Sequence, residues 1–287
     1  MRWTPGGISR DIEDRRGGGG FPGGGRGVGA GGFLVLLVLS FIFGRDLITP
    51  FLGGAGSPVA SSGRPVEETA EEREKVKLVS FVLDDAQDTW TKLFSGMRQE
   101  YQRARLVLFR DAVQSACGFA ESATGPFYCP GDQRVYIDLG FFDDLERRFR
   151  APGDFAQAYV LAHEVGHHVQ RLLGIERRVR SAQQSNPGSA NQLSVRMELQ
   201  ADCFAGVWGH AAAQRGHLET GDVEEGLAAA SSIGDDRIQR MSGRAVSPES
   251  FTHGSSAQRV EWFRRGLQSG DPSACDTFGG SDSRGRR

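Results

Sequence analysis

Residues 159–173 read Tyr-Val-Leu-Ala-His-Glu-Val-Gly-His-His-Val-Gln-Arg-Leu-Leu, and this stretch holds half of the six histidines of the chain. Its apolar residues recur at helical spacing, and Gly174 is typical of a helix stop, so we predict a helix over residues 155–173. His163 and His167 are four residues apart and therefore lie one turn apart on the same helix face.

Two imidazoles on one helix face can converge on a single tetrahedral zinc ion. Glu164 projects about a quarter-turn away, so it would not ligate the metal but would reach a water bound to it and act as the catalytic base. The alternative is a surface helix with solvated histidines, which the apolar neighbours disfavour because buried, unpaired histidines are costly. His168 points off the ligand face and is expected to be solvated.

A third ligand is expected from a second helix, predicted over residues 189–213. Glu198 and Asp202 are four residues apart and lie among apolar residues, which predicts burial and a need for cations. Glu198 is the predicted ligand, and Asp202 would accept a hydrogen bond from a ligand histidine and fix its tautomer. The alternative is a solvated acidic face.

The charge and cysteine content restrict the other possibilities. A net charge of −2 gives no indication of a nucleic-acid partner. Cys117 and Cys129 flank a Gly-Pro turn, so an exported protein is expected to join them, and Cys203 would then pair with Cys275. Four free, buried thiols are the alternative.

The order of segments along the chain predicts a membrane anchor followed by one folded domain. Residues 28–44 carry no charge and follow an arginine-containing head, which predicts a single transmembrane helix with a cytoplasmic N-terminus and a periplasmic or extracellular catalytic domain. A cleaved signal peptide and a buried core helix are the alternatives. The expected segments are a disordered Gly/Arg-rich head (1–27), the anchor (28–44), a linker (45–75), the folded domain (76–278) and a disordered tail (279–287).

The folded domain is expected to be of the α+β class, mainly helical with a small sheet. Residues 106–109 and 134–138 read as short strands. Two further helices are expected, from Asp222 to about Met241 and from Ser255 to about Gly270. Capping boxes are predicted for three helices, at Asp154–Gln157, Asp222–Glu225 and Ser255–Gln258.

The chain resembles a family of bacterial membrane-anchored proteins named putative neutral zinc metallopeptidases. The two histidines followed by Glu198-x-x-x-Asp202 match the gluzincin pattern of zinc peptidases. Further matching segments are Ile12–Arg16, Ser115–Gly118, Gly125–Pro130, Ala162–Gln170, Glu198–Cys203, Ile233–Asp236 and Thr252–Arg259. The resemblance implies a zincin-like fold, a Zn²⁺ cofactor and hydrolysis of peptide bonds in proteins or peptides.

The segment Thr252–Arg259 also resembles a Thr-His-Pro…Arg segment of membrane peptidases of the HtpX type. That similarity implies that His253 approaches the active site and that Arg259 lies close to it, although Gly254 stands here in place of the proline. The expected function is a membrane-anchored zinc metalloendopeptidase of cell-envelope proteins, attached to the lipid bilayer through residues 28–44. The alternatives are a proteolytically silent or latent envelope assembly factor and an interaction module with a purely structural zinc.

Overall fold

The structure is a computed structural model, and it describes residues 1–4, 6–17, 68–122 and 125–279. Its strands are β1 (Ile12–Asp14), β2 (Arg105–Phe109), β3 (Ala112–Ser115), β4 (Gly118–Glu121), β5 (Phe127–Cys129) and β6 (Arg134–Asp138). Its α-helices are α1 (Ala70–Gly96), α2 (Gly140–Arg147), α3 (Asp154–Leu172), α4 (Ile175–Ser185), α5 (Ala190–Gln214), α6 (Asp222–Ser232), α7 (Asp235–Met241) and α8 (Ser256–Ser269). The α+β class is therefore confirmed.

The helix that carries the two histidines is the centre of the core. Helix α3 packs against α1, α5 and α6, so it is buried on nearly all sides over most of its length. The predicted bounds of α3 and α5 are confirmed to within one residue. Because α3 is buried on so many sides, it holds His163 in the interior, whereas His167 is partly buried.

The main sheet has the strand order β1-β2-β6-β5, in which β5 alone runs antiparallel to its neighbour. Both faces of β2 are buried: Leu106 and Leu108 face the main core, whereas Val107 and Phe109 face a second apolar cluster. A strand buried on both faces has a continuous apolar sequence, which explains why it is recognisable from the sequence. The antiparallel hairpin β3–β4 contributes Val113 and Ala120 to the second cluster.

The head of the chain is part of this sheet. Strand β1 pairs in parallel with β2, with Ile12 opposite Leu106, and Arg103 binds Asp11 at 2.6 Å. The prediction that residues 1–27 are disordered is therefore wrong for residues 12–14 and their neighbours. Residues 18–27 lie outside the described part of the chain.

This pairing bears on the predicted membrane topology, which stays a prediction. A single crossing by residues 28–44 would put β1 and β2 on opposite sides of a bilayer, and paired strands cannot be so separated. Arg16 also binds Glu68 at 2.9 Å, so the chain on both sides of residues 18–67 lies at one place on the domain. The predicted anchor at 28–44 itself lies outside the described residues. Within the described ranges, no helix is both long and apolar enough to cross a membrane.

Several predicted boundaries and caps are also wrong. The linker was expected to extend to residue 75, but Thr69 and Glu72 form a capping box that starts α1 at Ala70. Asp154 does not cap α3, because its carboxylate accepts hydrogen bonds from the Met1 amine and the Trp3 indole. Asp222 does not cap α6, whose N-cap is Gly221. The helix expected from Asp222 to Met241 is divided into α6 and α7 around Gly234.

Other expectations hold. The capping box of Ser255 and Gln258 is present at the start of α8. Both disulfides are formed, Cys117–Cys129 and Cys203–Cys275. The second disulfide joins the middle of α5 to the short turn Pro272–Cys275 that follows α8. The tail from 280 to 287 lies outside the described residues.

Helices α5 and α8 cross at two glycines. A Cβ at Gly266 would lie 1.9 Å from the Cys203 carbonyl oxygen, and one at Gly206 would lie 2.1 Å from the Phe263 carbonyl oxygen. Real side chains cannot be accommodated at those distances, so the two backbones approach closely only because both residues are glycine. This close crossing carries the N-terminal turn of α8, including Arg259, towards the interior.

We expect Gly266→Ala to lower the free energy of unfolding by about 1–3 kcal/mol, since the added methyl group would overlap the backbone of α5. Gly96→Ala, at the end of α1 with no atom within 4 Å of the new Cβ, is the matched control. The control should be neutral or stabilising by a few tenths of a kcal/mol. Urea denaturation measures both, and equal effects would contradict the close-crossing explanation.

Candidate metal centre and active site

The three predicted ligands meet at one point between α3 and α5. The Glu198 carboxylate lies 3.2 Å from His163 Nε2 and 3.5 Å from His167 Nε2. One ligand atom from each of the three residues lies within 4.8 Å of the others. Two ligands about 2.1 Å from a tetrahedral zinc ion are separated by roughly 3.4 Å, so the observed spacing fits that ion.

A close approach of the two helices creates this spacing. A Cβ at Gly166 would lie 3.0 Å from the carbonyl oxygen of Ala201. Gly166 is the residue between the two histidines that faces α5, and Ala201 lies between Glu198 and Asp202. The small residues at this contact allow α5 to come close enough to α3 for Glu198 to reach the two histidines.

Asp202 is predicted to bind a ligand histidine, and the structure places it beside His163. Its Oδ1 lies 2.8 Å from His163 Nδ1, and the side chain is fully buried. Arg259, also buried, binds both carboxylate oxygens at 2.9 and 2.8 Å. The Tyr159 hydroxyl donates a further hydrogen bond to Oδ1 at 2.5 Å. Asp202 therefore has charged and polar partners on all sides, and it holds His163 with Nε2 towards Glu198.

The pKa shifts at these groups follow from burial opposed by charge. Burial lowers the pKa of His163, but Asp202 and Glu198 outweigh it and raise the pKa to about 10 in the metal-free protein. Burial raises the pKa of Asp202, but Arg259 and His163 bring it below its usual value. The pKa of Glu198 is likewise lowered, because His167 and His163 outweigh its burial.

Glu164 lies beside the ligands and lines the cleft without contributing to the ligand group. Its side chain is almost completely buried. Burial raises the pKa of Glu164, opposed by the neighbouring His163 and His167. A carboxylate whose pKa is raised towards neutrality is suited to accept a proton and give it up again.

His253 lies on the wall of the same cleft and is held by Asp235. The Asp235 carboxylate accepts three backbone N–H bonds from Thr252, His253 and Gly254, at 2.7, 2.6 and 3.0 Å. It also lies 3.2 Å from His253 Nδ1. Partial burial lowers the pKa of His253, whose side chain is 46% exposed, but Asp235 and Glu198 outweigh it and raise the pKa, which favours a ring that can donate from Nε2.

Two features of this loop bear on the earlier expectations. Gly254 has a φ of 91°, which proline cannot adopt, so the turn differs from the Thr-His-Pro pattern that the segment resembles. Among the described residues, His253 is also absent from the group of ligand atoms within 4.8 Å. The three-ligand set is therefore complete without it.

The expectation for His168 is wrong. The residue is 1% exposed, its Nε2 lies 2.6 Å from the Gln102 carbonyl oxygen, and its Nδ1 lies 3.0 Å from the Tyr128 hydroxyl. A carbonyl oxygen only accepts, so Nε2 carries the proton and Tyr128 donates to Nδ1. His168 thereby joins α3 to strand β5.

A cleft of about 1670 Å³ runs past the ligands, larger than the few hundred to 1,000 Å³ typical of small-molecule sites. Strand β5 forms part of its wall through Phe127 and Tyr128. In the described sheet, β5 is an edge strand that pairs with β6 alone. The cleft is therefore large, and two of its lining residues belong to an edge strand.

The family named "Putative neutral zinc metallopeptidase" matches residues 1–278 of the chain. This chain belongs to that family. The match includes the N-terminal strand as well as the ligand helices. The family name implies zinc and peptidase chemistry, and the His-His-Glu donor set, of which His163 is buried and the other two are partly buried, fits such an ion.

Relatives extend the same similarity. The chain is 50% identical over 289 residues to "Uncharacterized protein YpfJ" of Escherichia coli (strain K12), covering 98% of this chain and all of the relative. It is 45% identical over 204 residues to "Uncharacterized protein Rv2575" of Mycobacterium tuberculosis (strain ATCC 25618 / H37Rv), covering 67% of each. No solved structure matches the chain significantly, so the zincin-like fold stays a prediction.

Two contributors to the site were missed at the sequence level. Tyr159 lies one turn before His163, and that spacing could have indicated a contact with the site. An aromatic residue on a buried helix, however, more often belongs to the hydrophobic core alone. Asp235 accepts hydrogen bonds from the loop that carries His253, which lies about 18 residues further along the chain. Its only signal was its place in the Ile233–Asp236 segment of the resemblance.

We expect zinc binding at pH 7.5 to release at least about one proton, because His163, with a pKa of about 10 without metal, must lose its proton to become a ligand. The apparent affinity should accordingly rise with pH between 7 and 9, by up to about tenfold per unit. Calorimetric titration in two buffers of different ionisation enthalpy measures the proton count. No release, or an affinity independent of pH, would contradict the assignment.

Proposed function

We propose that this protein is a zinc metalloendopeptidase that cleaves extended segments of cell-envelope proteins. The observation that carries the proposal is the placement of Glu198 at 3.2 and 3.5 Å from the two histidine Nε2 atoms, with Glu164 buried beside them in an open cleft. A zinc ion held by these three residues would polarise a carbonyl group and lower the pKa of water towards about 7.

The residues around the ligands have separable roles in this proposal. Glu164 accepts the proton of the attacking water and passes it to the leaving amine, for which a raised pKa is favourable. His253, oriented by Asp235, donates to the carbonyl oxygen as negative charge develops there. Asp202 and Arg259 do not contact substrate; they fix the ring of His163.

The cleft supports a polypeptide substrate. An extended peptide can add to the edge of a sheet through main-chain hydrogen bonds, and β5, an edge strand of the described sheet, contributes Phe127 and Tyr128 to the cleft wall. Alternate residues of an added strand would then face the cleft wall, where the apolar side chains of Phe127, Phe141 and Val160 lie. Folded proteins do not offer an extended segment, so unfolded chains and flexible loops are the proposed substrates.

A location outside the cytoplasm is part of the same proposal. All four cysteines are joined in disulfides, and such bonds persist in oxidising compartments. The apolar residues 28–44 are proposed to bring the protein to a membrane. Because β1 pairs with β2, we place the N-terminal strand on the same side of that membrane as the catalytic centre.

We expect the cysteines to resist alkylation in intact cells until a reductant is added. Cells are quenched with acid and treated with a maleimide of high mass, with and without prior reduction. Each thiol that reacts slows the protein on a gel, and this shift is the measurement. A shift without reduction would show free thiols and contradict this location.

We expect Glu164→Gln to retain zinc while the cleavage rate of an unfolded protein falls about 10²–10⁴-fold, the usual contribution of a general base. Glu176→Gln is the matched control, since Glu176 also lines the cleft but binds Arg171 and Arg180 instead. Metal content by mass spectrometry and the cleavage rate are read on the same samples.

The same assay separates the rival functions. A Glu164→Gln protein as active as wild type would exclude this base, and an inactive wild type that retains zinc would favour a proteolytically silent factor. His253→Ala should lower kcat and leave zinc bound. Loss of zinc from that variant would instead favour a closed, structural site with four protein ligands.

A further inference from the structure

Glutamine 170 contacts the second histidine ligand from the side away from Glu198. Gln170 Oε1 lies 2.9 Å from His167 Nδ1, and the glutamine side chain is fully buried. The two residues are three apart on α3, so they are neighbours on the helix surface.

The orientation of the Gln170 amide is fixed by its other partners. Its Nε2 donates to the Met197 carbonyl oxygen at 2.7 Å and to Gln200 Oε1 at 3.1 Å. A backbone carbonyl can only accept a hydrogen bond, so the NH₂ end must face Met197. The oxygen end then faces His167, and Nδ1 of that ring must be the donor.

A second glutamine continues the same direction to the C-terminal disulfide. Gln200 Nε2 donates to the Cys275 carbonyl oxygen at 2.9 Å, and Cys275 is bonded to Cys203 on α5. This carbonyl also can only accept, which leaves Gln200 Oε1 to accept from Gln170. His167, Gln170, Gln200 and the Cys275 carbonyl thus form a row of hydrogen bonds. The backbone carbonyls of Met197 and Cys275 set the direction of every bond in this row.

We propose that Gln170 is the positioning residue of His167: by accepting from Nδ1–H it selects the tautomer whose free Nε2 faces Glu198 and the metal. Gln200 and the Cys275 carbonyl hold Gln170 in that orientation. The inference rests on the metal site of the proposed function but not on peptidase activity. Partners of this kind contribute about 10–100-fold to metal affinity in other proteins.

The choice of an amide for one histidine and a carboxylate for the other has an electrostatic reason. Glu164, Glu198 and Asp202 together can carry three negative charges in the interior, which Arg259 and a divalent ion balance. A carboxylate at position 170 would add a buried charge without a counter-charge, and such charges are costly. An amide orients His167 without changing the charge of the centre.

The test compares the zinc affinity of the full-length protein, purified in detergent, with that of three variants. Gln170→Met keeps the side-chain length but removes the acceptor, and we expect zinc to bind about 10–100-fold more weakly. Gln200→Met removes only the support, and a smaller loss in the same direction is expected. Gln87→Met is the matched control, because Gln87 is also fully buried and donates to a side chain, Asp11, away from the centre.

Zinc affinity is measured by competition with a chromophoric chelator, and the melting temperature is measured in excess chelator. All variants should lose stability, but only those in the row should lose affinity. The absorption bands of the cobalt-substituted protein should shift in Gln170→Met and not in Gln87→Met, which a purely structural role would not produce.

Unchanged zinc affinity and cobalt bands in a folded Gln170→Met protein would overturn the inference, as would an equal loss of affinity in Gln87→Met. If Gln170→Met fails to fold, Gln200→Met decides by the same criteria. A wild type that binds zinc and cleaves nothing would refute the proposed peptidase function and leave this inference standing.

Discussion

The carboxylate of Asp202 is the group on which the arrangement of the centre depends. It receives the ring of His163 and the hydroxyl of Tyr159 from α3, and the guanidinium of Arg259 from α8. Losing one partner of a buried ion pair costs about 3–5 kcal/mol, because the remaining charge is left without compensation. The same atoms therefore join three helices and orient one metal ligand. For this reason the stability of the interior and the geometry of the site cannot be varied independently.

The close packing of the helices brings the residues of this ion pair together. Gly166 allows α5 to approach α3, and Gly206 with Gly266 allows α8 to approach α5. Each approach brings a charged side chain into the interior, Glu198 and Asp202 in the first case and Arg259 in the second. The centre is thus assembled by backbone proximity, and polar side chains then satisfy one another within the space that remains.

The ligands were predictable from the sequence because their signal is local: residues four apart on one helix share a face. The α8 capping box was predictable for the same reason. The N-terminal strand was not, since it is three residues long and its pairing with β2 lies more than ninety residues away. Asp154 had the sequence of a cap but binds the N-terminal segment instead. His168 was expected in solvent because only the ligand face was considered, whereas the face of α3 that carries His168 is buried as well. Gln170 and Gln200 have no separate pattern, because the row they form exists only after α5 and the C-terminal turn have packed.

The disulfide between Cys203 and Cys275 also has a consequence for biosynthesis. A growing chain that has left the ribosome as far as Gln214 already contains both histidines and Glu198, yet it lacks Arg259 and the Cys275 carbonyl. The contacts of Arg259 and of the Cys275 carbonyl, and the Cys203–Cys275 disulfide, can form only after the chain has been made as far as residue 275. An unfinished chain would therefore carry the three ligands without the groups that orient them.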